Sequence, residues 1–230
     1  MAKRLAAVQS CYIPWKGYFD LIQAVDEFVL LDDVQYTRAD WRNRNRIKSP
    51  DGGRWLTIPV ATRGTSRAAI CEIRVRDQGW ATPHWRSIEA CYARSPHFRH
   101  YRDPLEALYR TATHSRLSDV NRHFLEALCR WLEIGTPLSW SMDYQLPAGR
   151  TERLVALCRK AGATTYVSGP SARSYLDEAA FRAHGIDVVF FDYAGYREYP
   201  QRFPPFDHHV SVIDLLLNVG PEARRYLLTS

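Results

Sequence analysis

Three groups of residues in this chain suit proton transfer or bond making: the pair Asp32-Asp33, the run Asp207-His208-His209, and Cys11. A carboxylate closing an apolar strand can bind hydroxyls, an amine or a metal, or act as a general base. Adjacent side chains on a strand point to opposite faces. One of Asp32 and Asp33 is therefore expected to face a cleft and the other to cap or pair, with a solvated turn as the plainer alternative. Histidine titrates near neutral pH, which makes His208 a candidate base beside Asp33. Neighbouring histidines rarely chelate one ion, and no HxxxH spacing or third ligand accompanies them, so no metal is expected. Cys11 is a candidate nucleophile, but only with a base and a lowered pKa. Otherwise it is a packing residue.

Four stretches can hold a ligand. Gln9-Ser10-Cys11-Tyr12-Ile13-Pro14-Trp15-Lys16-Gly17-Tyr18 leaves a short apolar strand and enters a helix. Gly17 permits close backbone approach, the helix start offers N–H groups, Trp15 and Tyr18 are candidates to stack on a base or a sugar, and Tyr12 is a further candidate ligand contact. Polar Gln9, at a buried strand end, needs a partner. Asp32-Asp33 is followed by Gln35. Arg42-Asn43-Arg44-Asn45-Arg46-Ile47-Lys48 places three arginines and a lysine within seven residues. Guanidinium forks suit phosphate or carboxylate, and the interleaved amides can read a ligand, although a charge run is also a common solvated face. Ser168-Gly169-Pro170-Ser171 lies between a strand and a helix, as an anion cradle or a plain cap. It lacks the lysine and glycine spacing of a Walker motif. Asp192 closes a later strand.

The elements that position these residues alternate. Strands are predicted at Arg4–Gln9, Phe28–Leu31, Thr164–Val167 and Ile186–Phe191, with helices at Tyr18–Val25, Thr151–Lys160 and Val210–Leu217 and another after Pro221. Arg54–Val60 and Ile70–Val75 are expected to pair as strands, with the polar link Thr62–Arg67 as a loop. Tyr36–Lys48 reads as a polar stretch before the turn Pro50-Asp51-Gly52-Gly53. Trp80–Tyr92, Phe98–Thr113 and Ser118–Leu132 have helical spacing, with Ser118 and Thr151 as expected caps. Leu138–Ser141 is a possible strand. The expectation is one α/β domain over residues 1–230, with a Rossmann-like parallel or mixed sheet and a helical insertion or subdomain over 80–135.

Hydrophobic residues make up 46% and charged residues 24% of the 230, enough for a sizeable core. The five cysteines include no CxxC pair, which points to a reduced, cytoplasmic setting. The first residues do not read as a secretory signal, and no run of about 18 apolar residues predicts a membrane span. The net charge of +6 suits an anionic small molecule. No nucleic-acid module accompanies it, so nucleic acid is not the expected partner.

Several blocks in order resemble the WbqC-like family. They are Gln9, Tyr12-Ile13-Pro14-Trp15, Gly17-Tyr18-Phe19, Asp32-Asp33-Val34-Gln35-Tyr36, Trp41 to Lys48 and Trp55 to Val60. Later blocks are Ser168 to Ala172, Tyr193, Gly195-Tyr196, Tyr199-Pro200-Gln201 and Ser211 to Gly220. The resemblance implies a bacterial protein associated with O-antigen, surface-polysaccharide or specialised-metabolite clusters. It implies a context in which a sugar, amino sugar or related metabolite is tailored. The expected activity is that of a transferase, passing a sugar, acyl or aminoacyl group from an anionic nucleotide- or phosphate-bearing donor to a hydroxyl- or amine-bearing acceptor, with a Cys11-dependent acyl or aminoacyl transferase as an alternative. The family pattern often has another residue at Cys11, so a thiol route would be a specialisation of this chain. A non-catalytic sugar-nucleotide binding or assembly protein is the other alternative. The first turn and the Ser168 turn are also similar in placement to the signature sites of nucleotidyltransferases. The histidines that those enzymes carry in HxGH are missing from this turn.

Overall fold

A computed structural model describes residues 2–61 and 67–229. In chain order β1 (Arg4–Val8), α1 (Lys16–Gln23) and β2 (Glu27–Leu30) come first, then the hairpin of β3 (Arg44–Ser49) and β4 (Gly52–Thr57). The helices α2 (Ala81–Tyr92), α3 (Phe98–Arg110) and α4 (Leu117–Trp131) follow. Last come β5 (Leu138–Trp140), α5 (Arg150–Ala161), β6 (Thr165–Ser168), α6 (Glu178–Arg182), β7 (Asp187–Phe190) and α7 (Val212–Val219).

Five strands form one sheet in the order β5-β2-β1-β6-β7, and every pairing in it is parallel. Both faces are covered, as a parallel sheet requires. The period of two along β1 and β2 divides the core. Leu5, Ala7 and Val29 pack with Leu154, Leu157 and Phe181 of α5 and α6. Ala6, Phe28 and Leu30 share the other core with α1, α7 and the middle helices, through Trp85, Leu105 and Phe124. The chain moves outward from β1 to β2 and β5, then returns to the other side of β1 to lay down β6 and β7. The strand order therefore reverses between β1 and β6, where loops from the two strand ends diverge and leave a crevice.

Some predicted elements differ. β4 does not pair with Ile70–Val75. It pairs antiparallel with β3, and Ile70–Glu72 is a 3-10 turn, leaving a single bridge between Val60 and Val75. β3 was hidden within the polar stretch because its buried positions include Asn45 and Lys48 as well as Ile47. Pro170–Ser174 and Gly220–Tyr226 are 3-10 segments instead of α-helices. Ser118 and Thr151 lie inside first helical turns, behind the cap positions Arg116 and Gly149. The predicted loop Thr62–Arg67 falls, except for Arg67, outside the described residues. Among the described residues no helix is long and apolar enough to cross a membrane.

Candidate functional site

A cleft of about 1130 Å³ opens at the carboxyl ends of β1 and β6, where the strand order reverses. Its cationic groups are Arg42, Arg150 and Arg153, and Asp33 is its carboxylate. Gln9, Cys11, Trp15 and Tyr18 come from the turn after β1. Ser168, Gly169 and Ser171 come from the end of β6, and Tyr193 and His209 from later loops. Gln35 stands exposed on the rim.

The turn after β1 is held under backbone strain. Ile13 has φ of 37°, a region that β-branched residues avoid. Buried Asn45 of β3 holds it there, donating to the carbonyls of Tyr12 (3.1 Å) and Ile13 (3.0 Å). The Tyr12 N–H donates to Trp41 O at 3.1 Å, and Val212 N–H of α7 donates to Pro14 O at 2.9 Å. Buried Asp32 grips the same turn, accepting from the N–H and hydroxyl of Ser10 at 2.8 and 2.7 Å. Asn121 of α4 extends this network, donating to the Ser10 hydroxyl and to Arg42 O, both at 2.9 Å.

The two adjacent carboxylates thus diverge. Asp33 reaches the cleft, pairing with Arg153 at 2.8 Å and accepting from Ser141 at 2.6 Å. Asp32 is enclosed behind the turn, where burial pushes its carboxyl up and the Ser10 bonds pull it down. It meets no ligand.

Several other expected ligand residues lie outside the cleft lining and have partners within the fold. Tyr12 is fully buried and bonds His84 and Tyr109. Asn43 bonds Tyr36 and Ile58 O, and Lys48 turns to Pro205 O. Arg44 lies 4.3 Å over the Trp55 ring and bonds Ala39 O. Asp192 caps its own turn through Ala194 N–H. Gly17 admits the Trp15 indole instead of a ligand, since a Cβ there would stand 2.3 Å from a Trp15 ring carbon. The Ser168–Ser171 turn offers no α-helix N-terminus, because a 3-10 segment follows it.

His208 turns away from the cleft. Its ring packs 4.6 Å from Phe206, and burial, then the nearby Lys16 ammonium, lowers its pKa. The next residue, His209, lines the cleft. It stacks on Trp15 at 6.0 Å, with Nδ1 3.5 Å from Asp207 Oδ1. Asp207 is fixed by Arg46 at 3.4 Å and by two bonds with Gln201. Gln201 in turn bonds Asp214 at 2.8 Å, and Tyr92 and Tyr199 each donate to that buried carboxylate at 2.7 Å.

Cys11 is beside Arg42, with Sγ 2.8 Å from the guanidinium. Burial nonetheless pushes its thiol up to about 11, outweighing the lowering by Arg42. Among the described residues no group of three His, Cys, Asp or Glu side chains is placed to hold a metal ion.

The family model for WbqC-like proteins matches residues 9–226, which include every residue that lines the cleft except Ala7 and Val8 of β1. The chain belongs to the WbqC-like protein family. It is 51% identical over 225 residues to the "Uncharacterized protein Rv1507c" of Mycobacterium tuberculosis (strain ATCC 25618 / H37Rv), covering 98% of this chain and 97% of that one. No solved structure matches it. In this WbqC-like protein, Tyr199-Pro200-Gln201 and Asp214 are two halves of one hydrogen-bonded anchor beneath the loop that carries His209.

Sequence reasoning missed Arg150, Arg153, Tyr175 and Tyr193. A signal for them existed. In a parallel sheet, the start of each helix and the residues following each strand lie at the ligand end. Arg150 and Arg153 open α5, and Tyr193 follows β7.

Proposed function

We propose that this WbqC-like protein is a transferase. It binds a nucleotide- or phosphate-bearing donor in the cleft and passes a sugar, acyl or aminoacyl group to a hydroxyl or amine. The observation that carries this reading is the three arginines around one carboxylate at the crevice between β1 and β6. Arg153 is neutralised by Asp33. The one carboxylate that Arg42 pairs with among the described residues is Asp40 at 3.7 Å, its other contacts being Cys11 Sγ and Gln9 O, and Arg150 forms no ion pair among the described residues. Two guanidinium groups thus favour an added anion. The cleft also exceeds the roughly 300–1,000 Å³ common for one small ligand, so donor and acceptor fit together.

His209 is the better base of the two cleft candidates. Both Asp33 oxygens are engaged, whereas Asp207 occupies one ring nitrogen of His209 and leaves Nε2 open. In the proposed step the acceptor oxygen or nitrogen bonds to the transferred group and gives its proton to His209. The donor's bond to phosphate breaks, and the phosphate leaves with the electron pair toward Arg42 and Arg150.

A thermal-shift series with nucleotides, sugar nucleotides and acyl thioesters tests the donor site. A compound held at 100 times its Kd stabilises the native state by about 2.7 kcal/mol. Arg42→Gln is expected to weaken that compound at least about tenfold, the loss of one charge-assisted contact. An unchanged shift in the variant would sink the reading. Binding with no turnover over any acceptor tried would favour the non-catalytic alternative.

The covalent alternative through Cys11 meets an obstacle. A thiol at about 11 is ionised in only about one molecule in ten thousand at pH 7. Cys11→Ala is expected to retain the donor shift and, once turnover is found, the rate. Loss of turnover with binding intact would restore the thiol route.

A further inference from the structure

Among the described residues, three of the five exposed large apolar side chains gather at the cleft. Trp41 (40% exposed) and Tyr175 (52%) line it, and Trp55 (43%) packs against Trp41. Apolar surface kept in water beside a polar site is a mark of ligand contact.

Trp41 is supported by Trp55, which in turn carries the Arg44 guanidinium. Its ring centre is 5.4 Å from that of Trp55 at an interplanar angle of 33°, and the Arg44 guanidinium lies 4.3 Å over Trp55. Arg44 is tied to Ala39 O. The Trp41 carbonyl accepts from Tyr12 N–H at 3.1 Å, and its own N–H donates to Asp40 at 2.7 Å. An aromatic wall fixed this firmly loses little freedom when a ring settles on it. The next residue is Arg42, whose guanidinium lies in the cleft.

We infer that Trp41 is the ring-binding wall of the site, taking the base or sugar ring of a small phosphate ester whose charge meets Arg42. The inference rests on the anion-binding reading above. Adjacent residues carry the stacking surface and the cation, and both line the same cleft. A ligand that uses both carries a ring and a phosphate in one small molecule, as in a mononucleotide or a sugar phosphate. Trp55 is a positioning residue. It supports Trp41 and touches no substrate.

The test uses the full chain labelled with 5-fluorotryptophan. The seven tryptophan resonances are assigned by single replacements with phenylalanine. The probes are inorganic phosphate, glucose 1-phosphate and uridine monophosphate. The Trp41 resonance is expected to move with at least one ring-bearing probe and not with inorganic phosphate. Which probe moves it separates a sugar ring from a base. Trp41→Ala is expected to weaken that probe about tenfold, a typical loss for one stacked ring, with phosphate binding unchanged. Trp41→Phe is expected to retain most of the affinity. Trp55→Leu is expected to weaken the probe by a smaller factor and broaden the Trp41 resonance. If a ring-bearing probe binds, seen by the Trp15 resonance or a melting shift, while Trp41 stays still, the inference is overturned and the anion site stands. If no probe binds, inorganic phosphate included, the anion-site reading fails and this inference fails with it.

Discussion

Asn45→Ala is expected to lower the unfolding free energy by about 3–5 kcal/mol. The variant leaves the carbonyls of Tyr12 and Ile13 and the amide of Arg46 without the Asn45 side chain. Each buried group left unpaired costs on the order of 1–3 kcal/mol. Some of the loss returns as Ile13 relaxes from its left-handed backbone, a strain of order 1–3 kcal/mol. Asn45→Asp should be no better, since a carboxylate would replace the amide that donates to the two carbonyls. Urea unfolding measures the difference. A loss below about 1 kcal/mol would mean that the turn does not depend on Asn45.

Acid should weaken the fold through one histidine. His84 is buried, with Nε2 against Thr57 O at 3.2 Å and Nδ1 against the Tyr12 hydroxyl at 2.9 Å. A carbonyl can only accept, so Nε2 carries the hydrogen and Nδ1 accepts from Tyr12. Tyr12 in turn accepts from Tyr109. The chain of bonds is complete with a neutral ring, and burial pushes the His84 pKa down to about 4 from an ordinary 6.5. Above pH 6.5 the folded and unfolded states are both neutral at this site, and the full stability is present. As pH falls from 6.5 to 4, the unfolded chain takes up a proton that the native state refuses. The loss reaches about 3 kcal/mol by pH 4. Asp32 and Asp214 act in the opposite sense, because burial pushes their carboxyls up and the native state binds those protons more readily. The decisive measurement is therefore the difference between wild type and His84→Gln, by urea unfolding at pH 7 and pH 4. The variant should lose about 3 kcal/mol less than wild type over this interval, and equal losses would exclude His84 as the cause.

The sheet was legible where strands are apolar on both faces, as in Phe28–Leu30 and Val188-Val189-Phe190. The hairpin was not. β3 buries Asn45 and Lys48, whose side-chain donors are satisfied by backbone carbonyls distant in sequence. No local pattern records those partners. The site was legible as blocks and not as individual side chains. Within Asp32-Asp33, Arg42–Arg46 and His208-His209, the sequence placed the right segment near the cleft, but the backbone phase decided which residue faced it. That phase depends on the left-handed Ile13, held by Asn45, on the pairing of β3 with β4, and on the anchoring of Asp207 by Arg46 and Gln201, and the ties from Asn45 and Arg46 span distant parts of the chain. Gly17 was legible as a close approach. What approaches it, Trp15 of the same turn, is visible only in three dimensions.

The turn after β1 is laced to the hairpin through Asn45, to α4 through Asn121 and to α7 through the Val212 amide. Three distant parts of the chain therefore meet at the floor of the cleft. Opening that floor alone would break all three ties, so its amides should exchange with solvent only when the whole domain unfolds. A ligand settling there has little local motion left to quench. Its effect on hydrogen exchange would appear as slower exchange across both cores, far from the atoms it touches.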